Sequence, residues 1–234
     1  MLWGLGPVQA KATHDIAVDR LRRQIHSGLL LPAEKLPAER QLSDDFGISR
    51  VTLRDALRVL ETDRYIVVRR GAQGGTFVNE ANRLVEISTR RITRAPGDAM
   101  RVLEFLCANE IAASGLAAER ASPLELKRMR RAIEMMQAAL TIPHLKQAET
   151  YFHLGLGAAT QNTLMAQAIE DGLSELFLPF GISTLETARS GMLKLHRALL
   201  MAVEGGHTVA AKAAMSEIHD GYWQQVRQLT RSAA

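Results

Sequence analysis

The sequence predicts a mainly α-helical protein in two parts: a small helical unit ending in a β-hairpin, and an all-α antiparallel helical bundle. Apolar residues recur at helical spacing through most of the 234 residues. The exception is residues 65–78, where two β-branched or aromatic runs enclose a glycine-rich turn. A hydrophobic content of 47% with 23% charged residues is typical of folded domains and excludes a mostly disordered chain.

The first part begins with three predicted helices. Residues 13–28 form the first, since apolar residues recur on one face and Gly28 can end it. Residues 38–46 form a second, short helix, which Gly47 ends in a tight turn. Ser49 then caps a third helix, whose apolar residues recur at i, i+3, i+4 and i+7. The pattern indicates two short helices joined by a glycine turn.

Arg50, Arg54 and Arg58 recur every fourth residue along the third helix and form a row beside its apolar stripe. The planar guanidinium group can bridge two phosphate oxygens or bind the O6 and N7 atoms of guanine. A row of arginines on an isolated helix is more often a solvated face. Here a hairpin follows directly, and the combination favours binding in a DNA groove.

The hairpin is predicted from residues 65–68 and 76–78, which flank a basic turn rich in glycine. Arg70 and Gly71 lie at its tip, where the backbone can approach a groove closely. The glycines do not form a phosphate-binding loop of the Walker type, because the Lys-Ser/Thr pair of that motif is absent. We therefore interpret the hairpin as a wing beside the third helix.

The balance of charge supports the same division. Residues 1–97 contain 16 Lys and Arg against 11 Asp and Glu, a net +5, and the remainder contains 13 against 14, a net −1. A basic excess attracts polyanions. A composition change within residues 79–97 indicates a helical linker. We expect a DNA-binding domain over 13–78, a linker over 79–97, and a helical domain over 98–234, to which the family resemblance described below adds effector binding and dimerisation.

Compartment and membrane association follow from composition. The single cysteine excludes an intramolecular disulfide framework and suggests a reducing compartment. The first ten residues lack the pattern of a signal peptide, and no apolar run approaches the roughly 18 residues that cross a bilayer. We expect a cytoplasmic protein without a membrane segment.

Three stretches of the first part resemble the GntR family of bacterial transcription regulators: Leu36-Pro37-Ala38-Glu39-Arg40, residues 47–57, and Gly74-Gly75-Thr76-Phe77-Val78. The resemblance covers residues 13–78 and implies a winged helix-turn-helix that binds double-stranded DNA. The residues standing where family members contact DNA are Arg40, Ser49, Arg50, Thr52, Arg54, Arg70 and Gly71. One departure is Arg64, where the family usually has glycine, so this turn is expected to need a strained non-glycine conformation.

The second part has six predicted helices, near residues 98–121, 123–140, 144–160, 163–178, 184–204 and 207–230. It is similar to the FCD ligand-binding domain of the FadR branch of that family. The similar residues are Leu103, Leu106, Glu110, residues 116–121, Phe152-His153, Asn162, His196-Arg197-Ala198 and residues 210–215.

The FCD resemblance implies a possible divalent metal site. Many members hold the ion with an Asp, a His four residues later and two further His; here Glu149, His153 and His196 stand at three of these positions, compatible with Zn, Ni or Mn. The fourth position falls on Ile218. His219 follows it, turned by about 100° around the helix, and is expected to point elsewhere.

His153 and His196 can also be interpreted without a metal, as buried histidines hydrogen-bonded within the bundle together with Glu149. The missing fourth ligand favours this second interpretation. Another departure is Leu106, which replaces an arginine that binds effector carboxylates in many members. We therefore expect a less charged or more apolar effector.

An enzyme is the alternative class of function. Cys107 lies in an apolar stretch with no histidine near it in sequence, which indicates an inert thiol. A metal-dependent hydrolase built on Glu149, His153 and His196 would leave a coordination position open for water, but it leaves the winged part unexplained. We expect instead a homodimeric regulator, more often a repressor, that binds a palindromic operator and responds to a small-molecule effector.

Overall fold

The structure is a computed structural model that describes residues 12–178 and 184–231. The first eleven residues, where we predict no signal peptide, lie outside the described residues. The described part contains two strands and ten helices: α1 (Thr13–His26), α2 (Glu39–Phe46), α3 (Arg50–Thr62), β1 (Ile66–Arg69), β2 (Gly75–Val78), α4 (Ala81–Arg94), α5 (Pro96–Arg120), α6 (Pro123–Ala138), α7 (Ile142–Ala159), α8 (Thr163–Leu176), α9 (Leu185–Glu204) and α10 (Thr208–Arg231).

The predicted fold class is confirmed: the chain is mainly α-helical and has one small antiparallel hairpin. It divides into two compact units. Within the described residues, the first comprises 12–23 and 33–79, and the second comprises 24–32, 80–178 and 184–231. No helix of the described residues is long and apolar enough to cross a membrane.

The turn between α2 and α3 forms as the sequence indicates. Gly47 adopts a left-handed conformation with φ of 65°, and its N–H donates to the Asp44 carbonyl at 3.1 Å. The Ser49 hydroxyl accepts a hydrogen bond of 3.0 Å from the Thr52 N–H and so caps α3. Leu53 and Leu60 on α3 are fully buried, which leaves the opposite side of this helix exposed.

The wing is a two-stranded hairpin in which Ile66 pairs with Val78 and Arg69 with Gly75. β1 lies one residue later than the predicted 65–68, and β2 begins one residue before the predicted 76–78. The Gly74 N–H donates to the Gly71 carbonyl at 2.8 Å and closes the turn, where Gly71 has φ of 105°. A glycine is needed there because L side chains rarely adopt this conformation.

The second unit is a helical bundle. α10 packs against α5 and α9, α7 packs against α6 and α8, and α5 also packs against α8. Leu103, Met129, Phe152 and Leu199 are among its fully buried side chains. Helices packed in this way bring side chains from α5, α7, α9 and α10 into one core.

Two segments outside residues 98–234 group with the bundle. In residues 24–32, the Ser27 carbonyl accepts a hydrogen bond of 2.5 Å from the Thr150 hydroxyl, and the Leu29 carbonyl accepts one from Gln147 at 3.1 Å. α4, which lies in the stretch predicted as a helical linker, buries Leu84, Ile87 and Ile92. Residues 24–32 belong to this unit because hydrogen bonds hold their backbone carbonyls, and α4 belongs to it because its apolar face is buried.

Candidate functional site

The first candidate surface is the exposed N-terminal half of α3. Ser49 and Thr52 bond to each other there, with 2.8 Å between their hydroxyl oxygens, in addition to the main-chain cap. Arg50 is exposed, and the side chain of Val51 is 67% exposed although it is apolar. The positive end of the helix dipole, an arginine and an apolar side chain therefore share one exposed surface.

Arg54 continues this surface one turn later. Its Nε donates a 2.8 Å hydrogen bond to Oε2 of Glu39, the first residue of α2, while about half of the Arg54 side chain stays exposed. Arg40, next to Glu39, is exposed and has no ion-pair partner among the described residues. The three predicted arginines of α2 and α3 thus lie on exposed surface, where a guanidinium group can reach a phosphate or a base edge, and Thr52 is half-buried.

Arg70 and Gly71 are both exposed at the start of the turn of the hairpin. Arg69 lies at the end of β1, with its guanidinium carbon 4.6 Å from the centre of the Phe77 ring. This contact orients Arg69 at the base of the wing. Arg70 and Gly71 at its tip stay exposed.

The second candidate site is a cluster of buried polar side chains in the helical bundle. Glu149 and His153 lie one turn apart on α7, and His196 lies on α9. Each is at most 4% exposed, and one potential ligand atom from each lies within 4.8 Å of the other two. The structure therefore brings together the three residues that the sequence singled out as metal ligands.

The polar contacts of the two histidines indicate which ring nitrogens carry protons and which carry lone pairs. His196 Nδ1 donates to the Met192 carbonyl at 2.8 Å, because a carbonyl can only accept. His153 Nδ1 lies 2.7 Å from the Glu110 carboxylate, which also only accepts. The two Nε2 atoms then face each other at 3.3 Å. A proton on one Nε2 can be donated to the lone pair of the other Nε2. A metal ion can instead accept the lone pairs of both.

The pKa values agree with a shared proton in the metal-free protein. Burial lowers the pKa of His153, but the Glu110 carboxylate outweighs this effect and raises the pKa above its usual value. Burial also lowers the pKa of His196, and the charge on His153 lowers it further, to about 4. Of the two rings, His153 therefore holds a proton more readily than His196.

Both oxygens of Glu149 have donors. The Tyr222 hydroxyl donates to Oε1 and Lys146 Nζ donates to Oε2, each at 2.7 Å. Burial raises the pKa of Glu149, but Lys146 and the two histidines outweigh it and lower the pKa to about 2. Glu149 is thus an anion, which suits it to hold a cation.

His219 does not join these three ligands. It is 1% exposed, and its Nε2 lies 2.7 Å from Oε2 of Glu110 on α5. Glu110 is fully buried, and its two oxygens contact His153 and His219. The rotation expected from the position after Ile218 thus directs His219 to a different carboxylate.

Sequence reasoning did not identify Glu110, Lys146 and Tyr222 as members of this cluster. Helical spacing carries a signal for two of them: Lys146 lies three residues before Glu149, and Tyr222 lies three residues after His219. Glu110 is 43 residues from His153 and 109 from His219, so local spacing gives no signal for it.

A cavity of about 310 Å³ lies beside the cluster in the second unit. Its polar wall contains Lys146, Glu149, His196, Tyr222 and Gln225, and its apolar wall includes Leu145, Leu178, Met192, Leu195 and Ile218. A small, mainly apolar cavity with a few polar groups at one side is the usual form of a small-molecule site.

Comparison with known proteins matches both parts of the chain to family models. Residues 13–78 match the model of the bacterial regulatory proteins of the gntR family, and residues 101–221 match the FCD domain. The chain belongs to the GntR family. It is a transcription regulator of that family with an FCD domain.

Individual relatives agree with this assignment. The GntR-family chain is 30% identical over 220 residues to the putative L-lactate dehydrogenase operon regulatory protein of Escherichia coli, covering 86% of this chain and 81% of that protein. It is 26% identical to the HTH-type transcriptional regulator LutR of Bacillus subtilis, covering 86% and 98%. The solved structure of E. coli McbR/YncC has the same fold, with a TM-score of 0.55, 19% identity and coverage of 94% and 99%.

Two positions distinguish this GntR-family chain from the pattern expected for FCD domains. Leu106 is fully buried, and its side chain lies 2.7 Å from the place a Cβ on Gly172 would occupy, so it is part of the core. Ile218 is 4% exposed and lines the cavity. Neither position supplies a polar group to the site.

Cys107 does not behave as an activated nucleophile. It is half-buried, and burial raises the pKa of its thiol, an effect that the hydrogen bond with Trp223 only partly offsets. A raised pKa keeps the sulfur protonated at neutral pH.

Proposed function

We propose that this GntR-family regulator is a homodimer that represses transcription by binding a short palindromic operator, and that a small molecule in the FCD domain releases it. The observation that carries the proposal is the exposed N-terminal surface of α3. Arg50 and Arg54 can bind guanine edges or phosphates, and Val51 can contact a thymine methyl group. Ser49, Thr52, Arg40, Arg70 and Gly71 supply the remaining contacts with the DNA backbone and the adjacent groove.

Homodimerisation follows from the length of DNA that one unit can read. A single recognition helix contacts only a few base pairs, which is too few for useful specificity. Two copies related by a two-fold axis read two inverted half-sites. The protein acts on the chromosome and therefore in the cytoplasm.

The cavity of 310 Å³ is the proposed effector site. Lys146, the cation in its wall, is already paired with Glu149, and Leu106 does not supply a carboxylate-binding fork. The chemistry of this wall fits a small molecule that is mainly apolar and carries few charges. If the effector binds better to a conformation that misplaces the two DNA-binding units, linkage lowers DNA affinity by the same factor.

Glu149, His153 and His196 also fit a divalent metal ion. Two imidazole Nε2 atoms and a carboxylate are the donors that Zn²⁺, Ni²⁺ or Mn²⁺ bind in proteins. When bound, the ion would add positive charge to the polar wall of the cavity. Elemental analysis of wild-type protein purified without added metal, and of His153→Ala, tests this part: equimolar metal that disappears in the variant supports it, and metal-free wild type contradicts it.

A hydrolase built on the same residues is not supported, because the matched families are regulators and account for both units. We propose that the chain is not an enzyme. Turnover of an ester or phosphate panel that is lost in His196→Ala would contradict this proposal.

The decisive experiment is selection of bound sequences from random double-stranded DNA, followed by light scattering of the complex. We expect an inverted repeat and two chains per duplex. Absence of any preferred sequence at low ionic strength, or one chain per single half-site, would contradict the proposal. A thermal-shift screen of small molecules with the wild type and Lys146→Met then tests the cavity, since a ligand of the folded state raises the Tm.

A further inference from the structure

We propose that Glu110 is a positioning residue for the metal site, and that His219 acts through Glu110 and not as a ligand. This inference rests on the proposed metal-binding function of Glu149, His153 and His196. It concerns the residues behind the ligands, which set the direction in which the lone pair of His153 points.

The geometry places Glu110 between two rings. Its Oε1 lies 2.7 Å from His153 Nδ1, an ion-pair distance without the alignment of a hydrogen bond, and its Oε2 accepts a hydrogen bond of 2.7 Å from His219 Nε2. All three side chains are at most 1% exposed, so water does not compete for these contacts. The contacts join α5, α7 and α10, three different helices of the bundle.

The chemistry of a carboxylate fixes the protons on both rings. An ionised carboxylate only accepts hydrogen bonds, so the nitrogen atoms that face Glu110 are the ones that carry protons. In the neutral form of His153, which is the form that binds a metal ion, this leaves Nε2 as the atom with the lone pair, and Nε2 is the atom that faces His196. Loss of Glu110 would allow the proton to move to Nε2, where it blocks a metal ion.

His219 supplies the second donor that a buried carboxylate needs. A carboxylate with only one partner in the core would be costly to bury and free to rotate. The other ring nitrogen of His219, Nδ1, is buried and has no hydrogen-bond partner among the described residues. The contact with Glu110 is therefore the polar interaction that accounts for a buried histidine at this position.

The magnitude of the effect is that of other residues that orient a metal-ligating histidine. Their removal typically weakens metal binding 10- to 100-fold, whereas removal of a ligand itself does more. Glu110→Gln keeps the shape of the side chain but offers a single acceptor oxygen, so it can satisfy at most one of the two rings. We expect weaker binding and no complete loss.

The experiment uses the full-length protein stripped with chelator and titrated with Co²⁺ alone. We expect Glu110→Gln to lower Co²⁺ affinity about 10- to 100-fold and to change the visible spectrum of the bound ion. His219→Gln, which keeps an N–H donor, should retain affinity close to wild type, and His219→Leu should lower it. Equal affinities and spectra for wild type and His219→Leu would overturn the proposal, even if Glu110→Gln fails to fold.

A second measurement separates this proposal from the metal site itself. Nitrogen-15 NMR of the metal-free wild type reports which ring nitrogen of His153 and His219 carries a proton. Protons on His153 Nδ1 and His219 Nε2 support the positioning role even if the protein binds no Co²⁺, an outcome that would refute only the metal function. An unprotonated His153 Nδ1 would overturn the role of Glu110.

Discussion

Nε of Arg54 on α3 donates a hydrogen bond of 2.8 Å to Glu39, the first residue of α2. The pair restrains an arginine that the proposed function places against a base edge, while 51% of its side chain remains exposed. Arg54→Ala should weaken binding to the selected operator by about 1–3 kcal/mol, and Arg50→Ala by a similar amount. Gel shifts with operator and random duplexes measure the loss and its dependence on sequence.

Arg58→Ala is the matched control for these two variants. It removes the same charge from the same helix one turn further on, where Arg58 pairs with Asp55 at 3.3 Å and is 77% exposed. Its effect should be clearly smaller. If Arg50→Ala and Arg54→Ala both bind the operator as wild type does, α3 is not the recognition helix.

Glu39→Gln tests the orienting role of the pair separately. The variant keeps the side-chain length but removes the charge that restrains Arg54, and it also removes a negative charge close to the proposed phosphate contacts. We expect affinity for random DNA at low salt to stay equal or rise and discrimination in favour of the operator to fall. Improved discrimination would show that Glu39 opposes recognition instead of assisting it.

Arg40 is exposed and, among the described residues, has no ion-pair partner, which suits it to contact a phosphate. Arg40→Ala should weaken binding to all sequences alike and reduce the slope of log K against log salt by about 0.9, the value for one phosphate. Binding measured at four or more salt concentrations gives the slope. Arg131→Ala, an equal change of charge in the helical bundle, should leave the slope unchanged.

The first unit was largely predictable because its signals are local. The cap at Ser49, the turn at Gly47 and the alternation around residues 65–78 each depend on neighbours within a few positions. The cluster in the bundle was predictable only where family resemblance or a helical repeat marked a position, as for Glu149 and His153. The FCD resemblance marked Glu110 but did not place it in the cluster, because its partners come from helices far away in the chain. The anchoring of Ser27 by Thr150 across 123 residues was missed for the same reason.

Arg64 lies in the turn between α3 and β1 and has φ of 65°, the strained conformation expected from the absence of the usual glycine. Its carbonyl accepts a 3.0 Å hydrogen bond from the Asn79 side chain, which holds the turn. Arg64→Gly removes a conformational penalty of about 1–2 kcal/mol but gives the unfolded chain about 0.4–1 kcal/mol of extra entropy. We expect a net gain of between about 0 and 1.6 kcal/mol in the free energy of unfolding of the first unit, measured by urea titration, with no change in operator preference. Destabilisation would indicate that the arginine side chain itself contributes to this turn.

Thr150 donates its hydroxyl to the buried Ser27 carbonyl from the same helix that carries Glu149 and His153. Thr150→Val keeps the shape of the side chain and removes the donor, so the carbonyl is left without this partner. The cost should be about 1–3 kcal/mol in the free energy of unfolding of the second unit. Thr93→Val, which removes a hydroxyl bonded only within α4, is the control and should cost about 0.5 kcal/mol or less. Equal effects of the two variants would mean that the Ser27 contact does not stabilise the bundle.

The variant Leu106→Arg tests whether an arginine can be accommodated at the position where the FCD resemblance leads us to expect one that binds carboxylates. The Leu106 side chain is fully buried and packs closely against Gly172 on α8, so Leu106→Arg would place a long cation in the core without a counter-charge. We expect a loss of about 3 kcal/mol or more in the free energy of unfolding, against less than about 1.5 kcal/mol for the volume-conserving Leu106→Met. Urea titration of both variants gives these values. The contrary outcome is a stable Leu106→Arg protein whose Tm rises with small carboxylates when the Tm of the wild type does not. It would show that α5 can turn this position toward the effector cavity, contrary to the packing of α5 against α8.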